Sequence, residues 1–179
     1  MIVLVVSDSH GRNEHVRQAV EQTKKKYGSV DMLLHMGDVE TNVEEIMNMI
    51  DGPVHIVAGN NDGGLSLPRQ LLVDINGLNV FMTHGHQLGV DYNLHRLELM
   101  AETNEASVAM YGHTHYPYLD RNGDIVLLNP GSLTYPRQEG REKTFMVMDV
   151  DDEGNAEYYW QELGGEEKRQ GFFSKIFGK

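Results

Sequence analysis

Ile2-Val3-Leu4-Val5-Val6-Ser7-Asp8-Ser9-His10 decides the fold. An unbroken apolar run, mostly β-branched, describes a strand covered on both faces, as in the parallel sheets of α/β proteins. The run stops at Ser7, and Asp8 and His10 follow it. Residues two apart share a face in extended geometry. A carboxylate and an imidazole therefore leave the end of a central strand together.

The same relation recurs along the chain. Asn13 reads as the cap of a helix over Glu14–Lys26, with Val16, Ala19, Val20 and Thr23 on one face. Met32–Met36 is a second apolar run, and it ends at Gly37-Asp38. Val43–Ile50 reads as a short helix stopped by Gly52-Pro53. Val54–Ala58 is a third strand, ending at Gly59-Asn60. Strand, helix, strand, helix, strand predicts a parallel sheet with right-handed crossovers.

The second half is richer in antiparallel signals. Gln70–Ile75 and Leu78–Thr83 flank Asn76-Gly77, a strong hairpin turn. Tyr92–Glu102 reads as a helix and Ser107–Tyr111 as a short strand. Tyr116–Arg121 and Asp124–Asn129 flank Asn122-Gly123. Thr144–Val150 and Ala156–Leu163 flank the acidic turn Asp151–Asn155. These pairs call for a second sheet within one domain, residues 1–163. Residues 164–179 read as a flexible tail, with docking to a partner or an anionic membrane face as the alternative.

Composition narrows the chemistry. A chain of 179 residues holds one ordinary domain, and 40% apolar with 23% charged residues suits a globular protein. The formal charge of −12 opposes an extended nucleic-acid channel and requires a local positive source for any phosphate. With no cysteine, thiolate nucleophiles and thiolate ligands are excluded, so a metal would be held by oxygen and imidazole. No window reaches the roughly 18 apolar residues of a spanning helix, and no signal peptide is evident. The expected location is the cytoplasm. The oligomeric state stays open, a homo-oligomer included.

Asp8, His10, Asp38, Asn60, His84, His113 and His115 all follow strand-like runs. Singly, each is an ordinary turn residue. Functional groups of open α/β sheets gather beyond the carboxyl ends of strands, so their shared placement makes one site. Two cations about 3.5–4 Å apart need a shared carboxylate. Asp38, a lone acid on a glycine turn, is the natural bridge. His35 and His55 lie inside strands and read as structural, whereas His15 and His95 read as surface residues. Asp62 reads as an orienter of its loop, and His86 as either that or a substrate contact.

In this order, Asp8-Ser9-His10, Gly37-Asp38, Gly59-Asn60-Asn61-Asp62, His84-Gly85 and Gly112-His113-Thr114-His115 resemble the motifs of the calcineurin-like metallophosphoesterase superfamily. Asn129-Pro130-Gly131-Ser132 and Pro136-Arg137 resemble its small bacterial and archaeal phosphodiesterase subgroup, near which the retromer scaffold subunit belongs. The resemblance implies an α/β fold, a four-layer α/β/β/α sandwich of two mixed sheets flanked by helices. It implies a dinuclear metal-dependent phosphodiesterase acting on a small phosphate ester. Asp8, His10, Asp38 and His115 would hold one metal, and Asp38, Asn60, His84 and His113 the other, with a bridging hydroxide attacking phosphorus. Manganese is the expected metal, with nickel, cobalt, iron, zinc and magnesium open. Asn61 and Arg137 are the expected substrate contacts, and Asp38, Asn61 and His86 the catalytic set. Many members carry histidine at the position of Asn61, so the proton donor to the leaving group is left open. A scaffold of the same fold and a nuclease are the alternatives.

Overall fold

The computed structural model describes residues 1–165. Its strands form two five-stranded sheets, and each mixes parallel and antiparallel neighbours. The first has the order β10-β9-β1-β2-β3, with β1 Ile2–Val6, β2 Met32–His35, β3 Val54–Ile56, β9 Thr144–Val150 and β10 Ala156–Glu162. The second has the order β4-β5-β6-β8-β7, with β4 Gln70–Ile75, β5 Leu78–Thr83, β6 Val108–Met110, β7 Tyr118–Asp120 and β8 Val126–Asn129. Helices α1 Asn13–Tyr27, α2 Val43–Met47 and α3 His95–Thr103 complete the architecture.

Strand alternation builds the layers. Val3 and Val5 of β1 point into a core between the sheets, where they join Met82, Met110 and Leu128 of the second sheet. Leu4 and Val6 point the other way, against Val16, Ala19 and Val20 of α1 and Ile46 of α2. Phe81, Ala109 and Leu127 cover the outer face of the second sheet and pack on Leu97 and Ala101 of α3. Three apolar layers between four layers of secondary structure make the expected α/β/β/α sandwich. Each fully buried Leu or Val side chain stabilises it by about 1.5–3 kcal/mol.

Helix bounds shift where tertiary contacts override local signals. Asn13 does not cap α1. It is the first helical residue, buried, and its amide donates to Glu45 Oε2 at 2.7 Å and to the Asn42 carbonyl. α2 ends at Met47 rather than Ile50, and Asn42 caps its start through the Glu44 amide. α3 starts at His95 rather than Tyr92, because a 3-10 turn at His86–Leu88 and a bend at Gly89 take up the preceding residues. The tail expected at 164–179 lies, from residue 166 onward, outside the described residues. No helix among the described residues is long and apolar enough to cross a membrane.

The topology brings the strand ends together. Val6, His35 and Ile56 stand level across β1, β2 and β3, so Asp8, Asp38 and Asn60 leave one edge. Met82, Met110 and Leu128 stand level in the second sheet, which sends His84, His113 and Asn129 out together. The two edges are joined by hydrogen bonds. His84 Nδ1 donates to the Met36 carbonyl, His113 N–H to Asp8 Oδ2 and Ser132 Oγ to the Asp8 carbonyl.

Candidate metal centre

Five of the predicted ligands sit in a backbone region that L-residues rarely use. Asp8, His10, Asp38, His113 and His115 all have φ between 44° and 66°. Such conformations each cost on the order of 1–3 kcal/mol, and they persist where the surroundings over-determine them, often at functional sites. Glycine makes the turns close enough. A Cβ on Gly37, at φ 95°, would meet Gly59 N at 2.7 Å and His84 Nδ1 at 2.8 Å. One on Gly112 would collide with the Ser7 hydroxyl and reach Asp8 Oδ2 at 2.9 Å.

Asp8, His10, Asp38 and His115 each offer a ligand atom, all within 4.8 Å of one another. Their lone pairs converge. His10 Nδ1 faces Glu40 Oε1 at 2.6 Å, and His115 Nδ1 faces the Tyr135 carbonyl at 2.8 Å. Those acceptors take the Nδ1 protons, so each Nε2 is left with a lone pair. The two Nε2 atoms lie 3.2 Å apart, and His115 Nε2 is 3.1 Å from Asp8 Oδ1. Asp8 Oδ1 is buried without a hydrogen bond of its own. A cation satisfies such a set of converging acceptors, and oriented imidazoles of this kind are the usual setting of a metal site.

A second group lies beside it. His84 Nδ1 donates to the Met36 carbonyl at 2.6 Å, and its Nε2 faces Asn60 Oδ1 at 3.1 Å and Asp38 Oδ2 at 3.6 Å. The His113 ring is 5.2 Å from that of His84, and its Nε2 is held by Asp91 Oδ2 at 2.8 Å. Asp38 stands between the two groups, with His10 Nε2 3.9 Å from the same Oδ2. Asn61 covers that carboxylate, donating from its amide side chain to Oδ2 at 2.7 Å and from its backbone to Oδ1 at 2.9 Å.

The electrostatics favour an ionised carboxylate at Asp8 and, without a cation, a proton on His115 that a bound metal would displace. Burial pushes the Asp8 carboxyl up, but the approach of His115, the charges of His84 and His115 and the Ser7 hydroxyl outweigh it, and its pKa falls below the ordinary value. Burial also works against a charged His115, yet the bond and charge of Asp8 raise its pKa. His86 lies 5.4 Å from His84, ring to ring, and 6.0 Å from His113. Burial first, then His84 and His113, lower its pKa. Arg137 is exposed, but its backbone N–H is tied to the His115 carbonyl at 3.1 Å, and its charge acts on His115.

Residues 1–153 match the model of the calcineurin-like phosphoesterase superfamily domain. The chain belongs to the calcineurin-like phosphoesterase superfamily. A probable metallophosphoesterase of Methanocaldococcus jannaschii is 32% identical over 158 residues, covering 87% of this chain and 79% of its own. The structure of a predicted phosphoesterase of Streptococcus pneumoniae superposes with a TM-score of 0.78 at 30% identity, covering 92% of this chain and 91% of its own. Vacuolar protein sorting 29 of Cryptosporidium parvum shares the fold, with a TM-score of 0.69 at 21% identity over 90% of this chain and 97% of its own. The calcineurin-like superfamily and the His/Asp cluster together support a metal-dependent phosphoesterase activity.

Supporting residues were only partly foreseen. Asp62 takes the expected orienting role. Its Oδ1 accepts from the Val39 and Glu40 amides and its Oδ2 from the Gly59 amide, which ties the two ligand loops together. His15 departs from the surface reading: half-buried, it bridges Thr134 Oγ1 and Lys143 Nζ. Glu40 and Asp91 were missed, because their partners His10 and His113 lie 30 and 22 positions away. No local sequence signal marks Glu40, whose left-handed turn two residues past Asp38 appears only in the folded chain. Carboxylates that hold a ligand histidine are worth about 10–100-fold in metal affinity. Glu40→Gln should weaken Mn²⁺ binding by about tenfold in a calorimetric titration. Unchanged affinity would show that Glu40 does not support His10.

His35 is buried on β2, accepting from Gly37 N–H through Nδ1 and meeting Ser9 Oγ through Nε2. Burial drives its pKa down from 6.5 to about 4. Between those values the unfolded chain binds the proton and the native state does not. This part of the stability is present above about pH 6.5 and is lost as pH falls towards 4, by about 2 kcal/mol at pH 5. His35→Gln should remove it. Urea unfolding of metal-free protein at about pH 7.5 and about pH 5 should then differ less in the variant than in the parent. Equal pH slopes would refute the assignment.

Proposed function

We propose that the protein is a metal-dependent phosphodiesterase with two divalent cations sharing Asp38. Asp8, His10 and His115 complete the first set of ligands, and Asn60, His84 and His113 the second. The observation that carries this reading is the place of Asp38 Oδ2, 3.9 Å from His10 Nε2 on one side and 3.6 Å from His84 Nε2 on the other. When bound, divalent cations supply Lewis acidity and a nucleophile at neutral pH. Manganese is the leading candidate among the metals that oxygen and imidazole ligands accept.

The chain's own groups favour diesters. Asp8, Asp38, Glu40, Asp62 and Asp91 crowd the site, whereas Arg137 is its main neighbouring cation. A diester brings one negative charge where a monoester dianion brings two, so the acidic surroundings repel it less. Within this reading the substrate is small and exposed and the location is the cytoplasm. Arg137 and Asn61 contact the phosphoryl oxygens. His86 contacts the substrate beside His84 and His113. The complete ligand set supports an enzyme rather than a scaffold, and the acidic rim counts against a nuclease for long chains.

Metal-stripped protein should hydrolyse diesters once Mn²⁺ is restored, and monoesters at a lower rate. Activity with no added metal, or none with any of Mn, Ni, Co, Fe, Zn and Mg, would overturn the proposal. Asn61 cannot hand a proton to the leaving oxygen. Rates should therefore fall steeply as the leaving alcohol becomes less acidic. Asn61→His should raise turnover of a poor leaving group by about 10²-fold, the lower range for general acid catalysis. No gain would show that proton delivery is not what limits the reaction.

A further inference from the structure

One aromatic side chain stands beside the cluster with most of its surface free. Tyr135 is 57% exposed, although its backbone is pinned at several points. Its N–H donates to Ser132 Oγ at 2.9 Å, its carbonyl accepts from His115 Nδ1 at 2.8 Å, and the next residue, Pro136, is buried. Its ring lies against His10, with centroids 5.0 Å apart and planes at 51°. Both the ring and its anchorage are thus referred to two ligands of one metal site. An exposed aromatic ring on an anchored backbone beside the metal-ligand cluster suits stacking on a planar ligand.

Glu40, hydrogen-bonded to the same His10, lines a cleft of about 500 Å³ together with Thr41, Asn61, Asp62, Gly64 and Leu65. Its volume falls within the range of small-ligand sites, and its walls are largely polar. His10 thus contacts both an aromatic ring, Tyr135, and a wall residue of the cleft, Glu40. A phosphodiester has two organic arms.

Resting on the diesterase reading above, we propose that Tyr135 is a stacking platform for an aromatic or heteroaromatic arm, so that the preferred substrates are diesters with a nucleoside-like arm on Tyr135 and a small polar arm in the Glu40–Leu65 cleft. Base stacking on aromatic side chains tolerates any planar ring, so the class is set by planarity rather than by a particular base.

Two methyl phosphodiesters test this, one with a thymidine arm and one with a glycerol arm, their products separated by chromatography. In the Mn²⁺-loaded parent the thymidine diester should have a KM roughly tenfold lower, within the range base stacking provides. Tyr135→Leu should erase that difference between the two substrates, read as the ratio of their KM values in the same preparation, and Tyr135→Phe should retain it. Equal KM values in the parent, or a preference that survives Tyr135→Leu, would overturn the platform. A fall in Mn²⁺ affinity with the preference intact would reduce Tyr135 to a support for His10 and also overturn it. If the parent cleaves neither these diesters nor one with an activated aryl leaving group, the diesterase reading fails separately. Calorimetric binding of both compounds to Mn²⁺-loaded protein then decides the platform, and equal affinities refute it.

Discussion

Asp38→Asn is expected to lower kcat/KM towards a phosphodiester by about 10³-fold or more, with the fold retained. The carboxylate lies between the two histidine groups, and its oxygens face His10, His84 and Asn61. An amide of the same shape keeps one acceptor and turns the other position into a donor, which repels a cation and can instead hydrogen-bond the histidine lone pair that the metal would take. The several kcal/mol of Lewis-acid stabilisation that metals give a phosphoryl transition state would go with the shared ligand. The substitution removes a buried charge without leaving a void, so thermal unfolding should change little. Calorimetry should show loss of at least one Mn²⁺ site in parallel with activity. Full activity in Asp38→Asn would exclude Asp38 as the shared ligand.

Asp62→Ala is expected to cost about 3–5 kcal/mol of stability and to weaken metal binding as a consequence. The side chain is only 2% exposed, and it accepts three backbone N–H groups at 2.8–2.9 Å from Val39, Glu40 and Gly59. Hydrogen bonds to a charged acceptor contribute about 1.5–3 kcal/mol each, and a buried donor left unpaired costs about 1–3 kcal/mol. Water reaching the gap would compensate the more exposed amides, which is why the full sum is not expected. These amides belong to the loops that carry Asp38 and Asn60, so the ligands would lose their common frame. Urea unfolding and Mn²⁺ titration of the variant should both shift. A stability within about 0.5 kcal/mol of the parent, the range of ordinary surface changes, would show that the loops are held by other means.

Strands and ligand order were legible because both are local. Asn76-Gly77 sets the β4–β5 hairpin, and both strands have their expected bounds, as does β9. The ligands follow strand ends, which a periodic apolar pattern marks well. Helix starts were less legible, since Asn13 carries the right chemistry for a cap but finds a better partner in Glu45 across the fold. The supporting shell of the site was not legible. His10 meets Glu40 and Tyr135, and His113 meets Asp91, through contacts between loops far apart in sequence that only the strand pairing and folding of the domain bring together. Asp62 was the exception, because it sits in the same short loop as Asn60.

The position of β1 has a consequence for how the molecule comes into being. β1 lies between β2 and β9, paired to Met32–His35 on one side and to Met146–Asp149 on the other. The segment just before β9 returns to the same place: Leu133 N–H donates to the Ser7 carbonyl, Ser132 Oγ to the Asp8 carbonyl and Thr134 Oγ1 to the Ser9 carbonyl. During synthesis, β1 can pair with β2 early, but its other edge and the carbonyls of Ser7, Asp8 and Ser9 wait for partners made more than a hundred residues later. Long-range pairing of this kind slows folding, since the chain must close a large loop before the contacts reward it. The nascent chain exposes one edge of its most apolar strand, with Asp8 and His10 attached, until almost the whole domain has left the ribosome. A chain arrested before residue 130 would hold the backbone amides of Asp8 and His10 by the loop at 37–39 alone, without His115's Tyr135 partner and without the groups at 132–134 that bind the carbonyls of residues 7–9.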